Sequence, residues 1–173
     1  MGPSERVSVA IDWFSSPVRR LTRDDVACWV VKTSRPPSDL VPGWRPGTEQ
    51  QLPRCLRPSY RLDLMAAGQP CLLWLSGRDR PGVYALGELS GPPKRDSSGP
   101  VVSVRLTLLA EPVDRAELLA DPGARDAEVL RMPAGSNPSW LSARQYAAVL
   151  ARSGGSSGAR GEPDRGGLER WTS

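Results

Sequence analysis

The chain has 173 residues, which is enough for one ordinary domain with terminal extensions. Its 23 Lys and Arg residues against 19 Asp and Glu give a net charge of +4, so a polyanionic partner is permitted but not required. Histidine is absent, which excludes Ser-His-Asp triads, Cys-His pairs and histidine-ligated zinc.

The three cysteines, Cys28, Cys55 and Cys71, do not have the spacing of a metal site. An odd number of thiols without a secretory leader indicates reduced cysteines, so we expect a cytoplasmic protein. No segment approaches the roughly 18 apolar residues of a membrane span. The sequence therefore predicts no membrane partner, no metal and no other cofactor.

Composition divides the chain into three parts. Residues 1–25 are predicted to be a weakly ordered N-terminal extension, and residues 26–151 the folded domain. Residues 152–173 are rich in Gly, Ser and Arg and nearly free of apolar side chains, so they are predicted to be a disordered tail.

The first half of the domain predicts one strand, one long loop and one short helix. Val26–Thr33 is a short apolar run typical of a buried strand. Ser34–Pro58 contains six prolines and is predicted to be irregular, as functional loops often are. Tyr60–Ala67 has helical spacing and is ended by Gly68.

The centre of the domain predicts three strands. Cys71–Ser76 and Val83–Ser90 flank a turn rich in Gly and Pro, which indicates an antiparallel hairpin. Gly91–Pro100 is predicted to be a loop. Val101–Leu109 alternates apolar and polar residues, as a half-buried strand does.

The last third predicts helices around an irregular segment. Arg115–Ala120 is predicted to be a helical turn and Met132–Trp140 to be non-regular. Ser142 and Gln145 have the spacing of a capping box and open a helix through Leu150. Central strands with short helices around them indicate a small, strongly curved sheet or barrel.

Four segments of this pattern resemble the EVE domain, a PUA-like family related to YTH and ASCH domains. They are Trp29–Pro37, the hairpin Gly68–Leu89, Ser136–Pro138 and the helix start at Trp140. The hairpin is the most specific of them. The chain departs from the family at Gln69, where an aspartate usually follows the glycine.

The resemblance implies an α+β fold, a PUA-like small curved β-barrel with short flanking helices. It also implies a reader of nucleic acid rather than an enzyme. Such domains hold a modified base of DNA or RNA, for example a methylated one, in an aromatic pocket. We expect the protein to be a monomer.

We expect the base pocket where the end of the first strand, the central hairpin and the long loop share one mouth. The candidate walls are Trp44 and Trp74. The candidate polar edge consists of Lys32, Thr33, Ser34, Ser76 and Asn137. The alternatives stay open: Trp29 and Trp74 suit a core position, and Asn137 before a proline suits a turn.

Arginines on the two loops beside this mouth are candidates for phosphate contacts. They are Arg45, Arg54, Arg57, Arg61, Arg78 and Arg80. The alternative is a solvated loop whose arginines reflect a GC-rich genome.

Two other functions remain open from the sequence. A protein-interaction module would bind a partner protein through the Pro-rich loop or the C-terminal tail. An enzyme without histidine would rely on Cys, Lys, Asp or Glu side chains. Among the thiols only Cys55 has an electropositive setting, beside Arg54 and Arg57, of the kind that favours a thiolate.

Overall fold

Strands dominate the computed structural model, which describes residues 19–154. Within that range seven strands form one mixed sheet. They are β1 Cys28–Thr33, β2 Glu49–Cys55, β3 Pro70–Leu75, β4 Gly82–Leu89, β5 Lys94–Asp96, β6 Gly99–Asp114 and β7 Ser139–Leu141. The order is β2-β6-β4-β3-β1-β7, with β5 paired to β6. Only β1 and β3 are parallel among the described pairs.

Short helices surround the sheet. They are α1 Pro37–Leu40, α2 Arg115–Ala120, α3 Glu128–Arg131 and α4 Ala143–Ser153, with 3-10 turns at Arg23–Asp25 and Tyr60–Leu64. The predicted capping box of α4 is confirmed, because Ser142 Oγ accepts from the Gln145 N–H and Gln145 Oε1 accepts from the Ser142 N–H. In residues 19–154, no helix combines the length and the apolar character needed to cross a membrane.

The central strands are buried on both faces, so their sequences are almost continuously apolar. One face of β1 and β3 packs against the helices and forms the first core, which includes Val30, Leu72 and Val149. The other face forms the second core inside the curve of the sheet, around Trp29 and Leu73. The PUA-like α+β class is therefore confirmed as an open, curved sheet.

The interpretation of Ser34–Pro58 as irregular is wrong, because this segment contains α1 and β2. Strand β2 pairs only with β6, so it is an edge strand and Leu52 is its one buried residue. Pro53 would be excluded from a central strand but is tolerated at an edge. The predicted loop Gly91–Pro100 likewise contains β5, and the predicted non-regular segment Met132–Trp140 includes the start of β7.

The ordered body begins earlier than the predicted boundary at residue 26. Leu21 packs against the second core, and its N–H donates to Tyr60 Oη at 3.0 Å. The predicted N-terminal extension over residues 1–18 and the predicted tail beyond residue 154 lie outside the described residues.

Trp29 is a core residue, fully buried in the second core. Its Nε1 donates to Gln69 Oε1 at 2.8 Å. The same oxygen accepts from the Ala66 N–H, and Gln69 Nε2 donates to the Leu64 carbonyl. Gln69, where the resembled family has a shorter side chain, thus ties the turn before β3 to the buried indole.

Candidate functional site

A cavity of about 260 Å³ opens at the carboxyl ends of β1 and β3. Its walls are Lys32, Thr33, Ser34, Arg57, Ser76, Pro133, Ala134, Gly135 and Asn137. All five residues predicted to form the polar edge of the pocket are among them. That they contact a base stays a prediction.

The parallel pairing of β1 and β3 explains why these residues meet. Parallel strands end at the same edge of a sheet, and Thr33 lies opposite Leu75. The Ser76 N–H donates to the Thr33 carbonyl at 2.8 Å, which holds the two strand ends together. Ser34 and Ser76 follow these strand ends directly, so the chain delivers both hydroxyls to one mouth.

Asn137 connects β1 with the edge strand β2. Its Oδ1 accepts from the Lys32 N–H at 3.1 Å, and its Nδ2 donates to the Cys55 carbonyl at 3.0 Å. The Asn137 carbonyl accepts from the Arg57 N–H at 2.8 Å. The side chain therefore links the ends of β1 and β2 and positions one wall of the cavity, a structural role that turn chemistry alone does not describe.

Lys32 lines the cavity and contacts the segment that forms the opposite wall. Its Nζ donates to the carbonyls of Pro133 and Gly135 at 3.2 and 3.3 Å. Burial lowers the pKa of Lys32, Glu128 opposes this, and the charges of Arg57 and Arg61 lower it further. A half-buried cation with other cations nearby is stabilised by a bound anion, because the anion offsets the repulsion between the positive charges.

The three hydroxyls at the mouth differ in their availability. Thr33 Oγ1 accepts from the Arg35 N–H at 3.0 Å and contacts the Arg35 carbonyl at 3.1 Å, so it stabilises the turn after β1. The hydroxyls of Ser34 and Ser76 have no hydrogen-bond partner within residues 19–154. These two are the groups free to read the polar edge of a ligand.

The prediction that Trp44 and Trp74 form the pocket walls is wrong. Trp44 is 7% exposed and packs in the second core, and its Nε1 donates to the Thr48 carbonyl at 2.9 Å. Trp74 is 2% exposed and packs in the first core. Burying a large ring is worth more to this small domain than presenting it to solvent, and none of the residues lining the cavity is aromatic.

Cations gather around the cavity without acidic partners. Arg57 lines it, and Arg54 reaches the Lys32 carbonyl with Nη2 at 3.4 Å. Burial, reinforced by the charge of Arg35, lowers the pKa of Arg54. Within residues 19–154, no ion pair includes Lys32, Arg35, Arg54 or Arg57. Arg35 is not among the predicted phosphate ligands, although it directly follows Thr33 and Ser34.

Two of the predicted phosphate ligands do not belong to this group. Arg45 precedes β2 whereas Arg57 follows it, so the strand separates them by about 20 Å. Arg61 is 14% exposed and forms a two-pronged ion pair with Glu128 at 2.7 and 2.8 Å, while Nη1 also contacts the Pro138 carbonyl. Arg61 is therefore already paired in this structure, and its role as a phosphate ligand stays a prediction.

The two arginines of the hairpin between β3 and β4 also differ. Arg78 is exposed, lies two residues from Ser76, and has no ion pair in the described part of the chain. Arg80 contacts Asp114 at 3.6 Å. Arg78 is thus the better placed of the two for a ligand that extends out of the cavity.

Cys55 and the acidic side chains do not contribute reactive groups to the cavity. Cys55 is exposed at the end of β2, and its carbonyl is engaged by Asn137. The described residues contain no group of three or more Cys, Asp or Glu side chains that could hold a metal ion. The cavity lining itself has neither a carboxylate nor a thiol.

Comparisons with known proteins show what the fold is. No protein-family model matches the sequence, and no curated protein does. A hypothetical protein from Leishmania major has a TM-score of 0.57 at 18% identity, covering 76% of this chain and 96% of its own. The DUF55 domain of human thymocyte nuclear protein 1 has a TM-score of 0.53 at 17% identity, covering 73% and 98%.

A third similar structure is the human THYN1 protein in complex with DNA containing 5-methylcytosine. Its TM-score is 0.51 at 16% identity, with 73% of this chain and 96% of that chain covered. At these identities the likeness concerns the fold. The chain thus has the PUA-like fold that its resemblance to the EVE domain implies.

Proposed function

We propose that this chain is a nucleic-acid reader that holds one base of a strand in the cavity at the ends of β1 and β3. The observation that carries the proposal is the cavity itself: free hydroxyls at the mouth, surrounded by cations and without a carboxylate in its lining. A phosphate backbone complements the cations, and hydroxyl groups can pair with the edge of an extruded base. The DNA complex of the human THYN1 protein supports the same class of ligand.

Selectivity for a modified base follows from the size and lining of the site. Pro133 and Ala134 give the cavity apolar surface beside the two serines. A methyl group buried there is worth about 0.8 kcal/mol, which corresponds to about a fourfold preference. Since no aromatic ring lines the cavity, stacking adds little and phosphate contacts supply more of the affinity.

A binding role is favoured over a catalytic one by the same lining. Among the cavity residues the only titratable side chains are Lys32 and Arg57, and Lys32 is engaged with two carbonyls. A general base for proton transfer would need a free group within hydrogen-bond reach of a substrate.

Salt dependence tests the electrostatic part of the proposal. For a single-stranded oligonucleotide, about three or four phosphate contacts give a slope of roughly −2 to −3 in log affinity against log salt. Arg57→Ala is expected to weaken binding of modified and unmodified strands equally and to flatten the slope by about 0.7. Fluorescence anisotropy at several salt concentrations measures both quantities.

Arg45→Ala is the matched control, because it removes the same charge at the far end of β2. It is expected to leave affinity and slope nearly unchanged. Binding that does not depend on salt would contradict the proposal and point to a neutral ligand.

A further inference from the structure

A second groove, of about 360 Å³, lies beside the cavity on the other side of the Arg61–Glu128 ion pair. Its walls are Arg19, Arg20, Leu21, Asp25, Tyr60, Arg61, Glu128, Arg131 and Trp140. Nothing in the proposed function uses it. Unlike the cavity, this groove contains two aromatic rings.

Two chain segments connect the groove with the cavity. Arg57 lines the cavity and Tyr60, three residues later, lines the groove. Pro133 lines the cavity and Arg131, two residues earlier, lines the groove. Three residues span at most about 10 Å, so the two sites are immediate neighbours.

The charges of the groove leave two cations free. Arg19 pairs with Asp25 at 2.8 Å, and Arg61 pairs with Glu128. The other two arginines, Arg20 and Arg131, have no ion pair within residues 19–154. The groove therefore presents a net positive charge, which complements a phosphate.

The same groove offers stacking surface. The Arg20 guanidinium lies 4.3 Å from the centre of the Tyr60 ring. A guanidinium held on an aromatic ring is itself a surface on which a base can stack. Trp140 is only partly buried, and its ring also lines the groove. Aromatic rings next to unpaired cations are the combination with which proteins bind single strands.

We infer that this groove is a second subsite, which takes a nucleotide adjacent to the base held in the cavity. The inference rests on the proposed function. A flanking base stacks on the Arg20–Tyr60 pair or on Trp140, while Arg131 contacts its phosphate. The strand then crosses the Arg61–Glu128 ion pair, which separates the two subsites and fixes their spacing.

The test compares a single nucleotide with a short strand. 5-Methyl-dCMP occupies only the cavity, whereas a pentanucleotide with 5-methylcytosine at its centre reaches both subsites. Binding of each is measured by calorimetry to the full chain and to the variants Arg20→Ala, Arg131→Ala and Arg45→Ala. The two groove variants are expected to weaken pentanucleotide binding at least about fivefold, as expected for one lost stacking or charge contact, and to leave the affinity for the mononucleotide unchanged. Arg45→Ala is the control for removal of a charge and should behave like the wild type.

The outcomes separate the two proposals. If the wild type binds both ligands and the groove variants bind the pentanucleotide as the wild type does, the second subsite is wrong while the cavity stands. If the groove variants weaken both ligands equally, the effect is on the cavity and the inference fails. If the wild type binds neither these ligands nor their ribonucleotide and N6-methyladenine counterparts, the proposed function fails and the inference fails with it.

Discussion

Replacing Trp44 by alanine is expected to lower the free energy of unfolding by about 3–5 kcal/mol, the usual cost of truncating a buried tryptophan. The ring is 7% exposed, and its Nε1–H donates to the Thr48 carbonyl, so the variant loses packing and a hydrogen bond together. Urea denaturation followed by circular dichroism measures the loss.

Two further variants serve as controls for Trp44→Ala. Trp44→Phe keeps most of the buried surface and gives up the hydrogen bond, so it should lose less than the alanine variant. Met132→Ala removes an apolar side chain that is 57% exposed and should change stability by less than about 0.5 kcal/mol. If Trp44→Ala has the stability of the wild type and loses only ligand binding, Trp44 belongs to the ligand pocket and the assignment to the core is wrong.

Breaking the Arg61–Glu128 ion pair is expected to have an effect of similar size. Glu128 accepts from both terminal nitrogens of Arg61 and from Ser139 Oγ at 2.9 Å. Removing one partner of a buried pair costs about 3–5 kcal/mol, because the other charge stays without compensation. The loss of stability in Glu128→Gln should lie near the lower end of this range. The two side chains are 14% and 17% exposed, so water partly solvates the remaining charge.

A surface pair provides the control for Glu128→Gln. Arg105 and Glu88 also form an ion pair, but their side chains are 46% and 41% exposed. Glu88→Gln should therefore cost no more than about 1 kcal/mol. Equal losses in the two variants would show that the Glu128 pair is no more important than a surface contact.

The pH dependence of the same comparison has a definite sign. Burial alone would raise the pKa of Glu128, but hydrogen bonds from Arg61 and Ser139 outweigh it and lower that pKa. A lowered carboxyl pKa adds stability above its unfolded value of about 4.3, and this stability is lost as the pH falls through the folded value. The stability gap between wild type and Glu128→Gln should thus be constant near neutral pH and close below about pH 4.

The central hairpin and the first strand could be predicted from the sequence because their signals are local. The run Cys71–Leu75 is apolar at every position, and Gly and Pro mark the turn that follows it. Strand β2 could not be predicted in this way. It is polar and contains Pro53, and it is a strand only because β6 offers it a free edge.

The position of the cavity and its polar lining were predictable, but the absence of aromatic walls was not. Ser34 and Ser76 follow the two strands that the fold makes parallel, so their meeting follows from topology. Whether a tryptophan faces a core or a ligand depends on the tertiary packing around it, and the flanking residues of Trp44 carry no such information. The pairing of Arg61 with Glu128 joins residues 67 positions apart, and no local pattern indicates it.

The most direct test of the account fills the cavity and asks whether base preference disappears. Ser34→Trp places a large ring at the mouth from an exposed position whose hydroxyl makes no hydrogen bond within residues 19–154. Ser38→Trp adds the same ring at an exposed position of α1 outside the cavity lining. Each variant and the wild type are titrated with single strands that carry one 5-methylcytosine or one N6-methyladenine, and with their unmodified twins. We expect the wild type and Ser38→Trp to prefer a modified strand about fourfold and Ser34→Trp to lose that preference while melting as the wild type does. A folded Ser34→Trp variant that keeps the full preference would contradict the assignment of the cavity as the base-binding site.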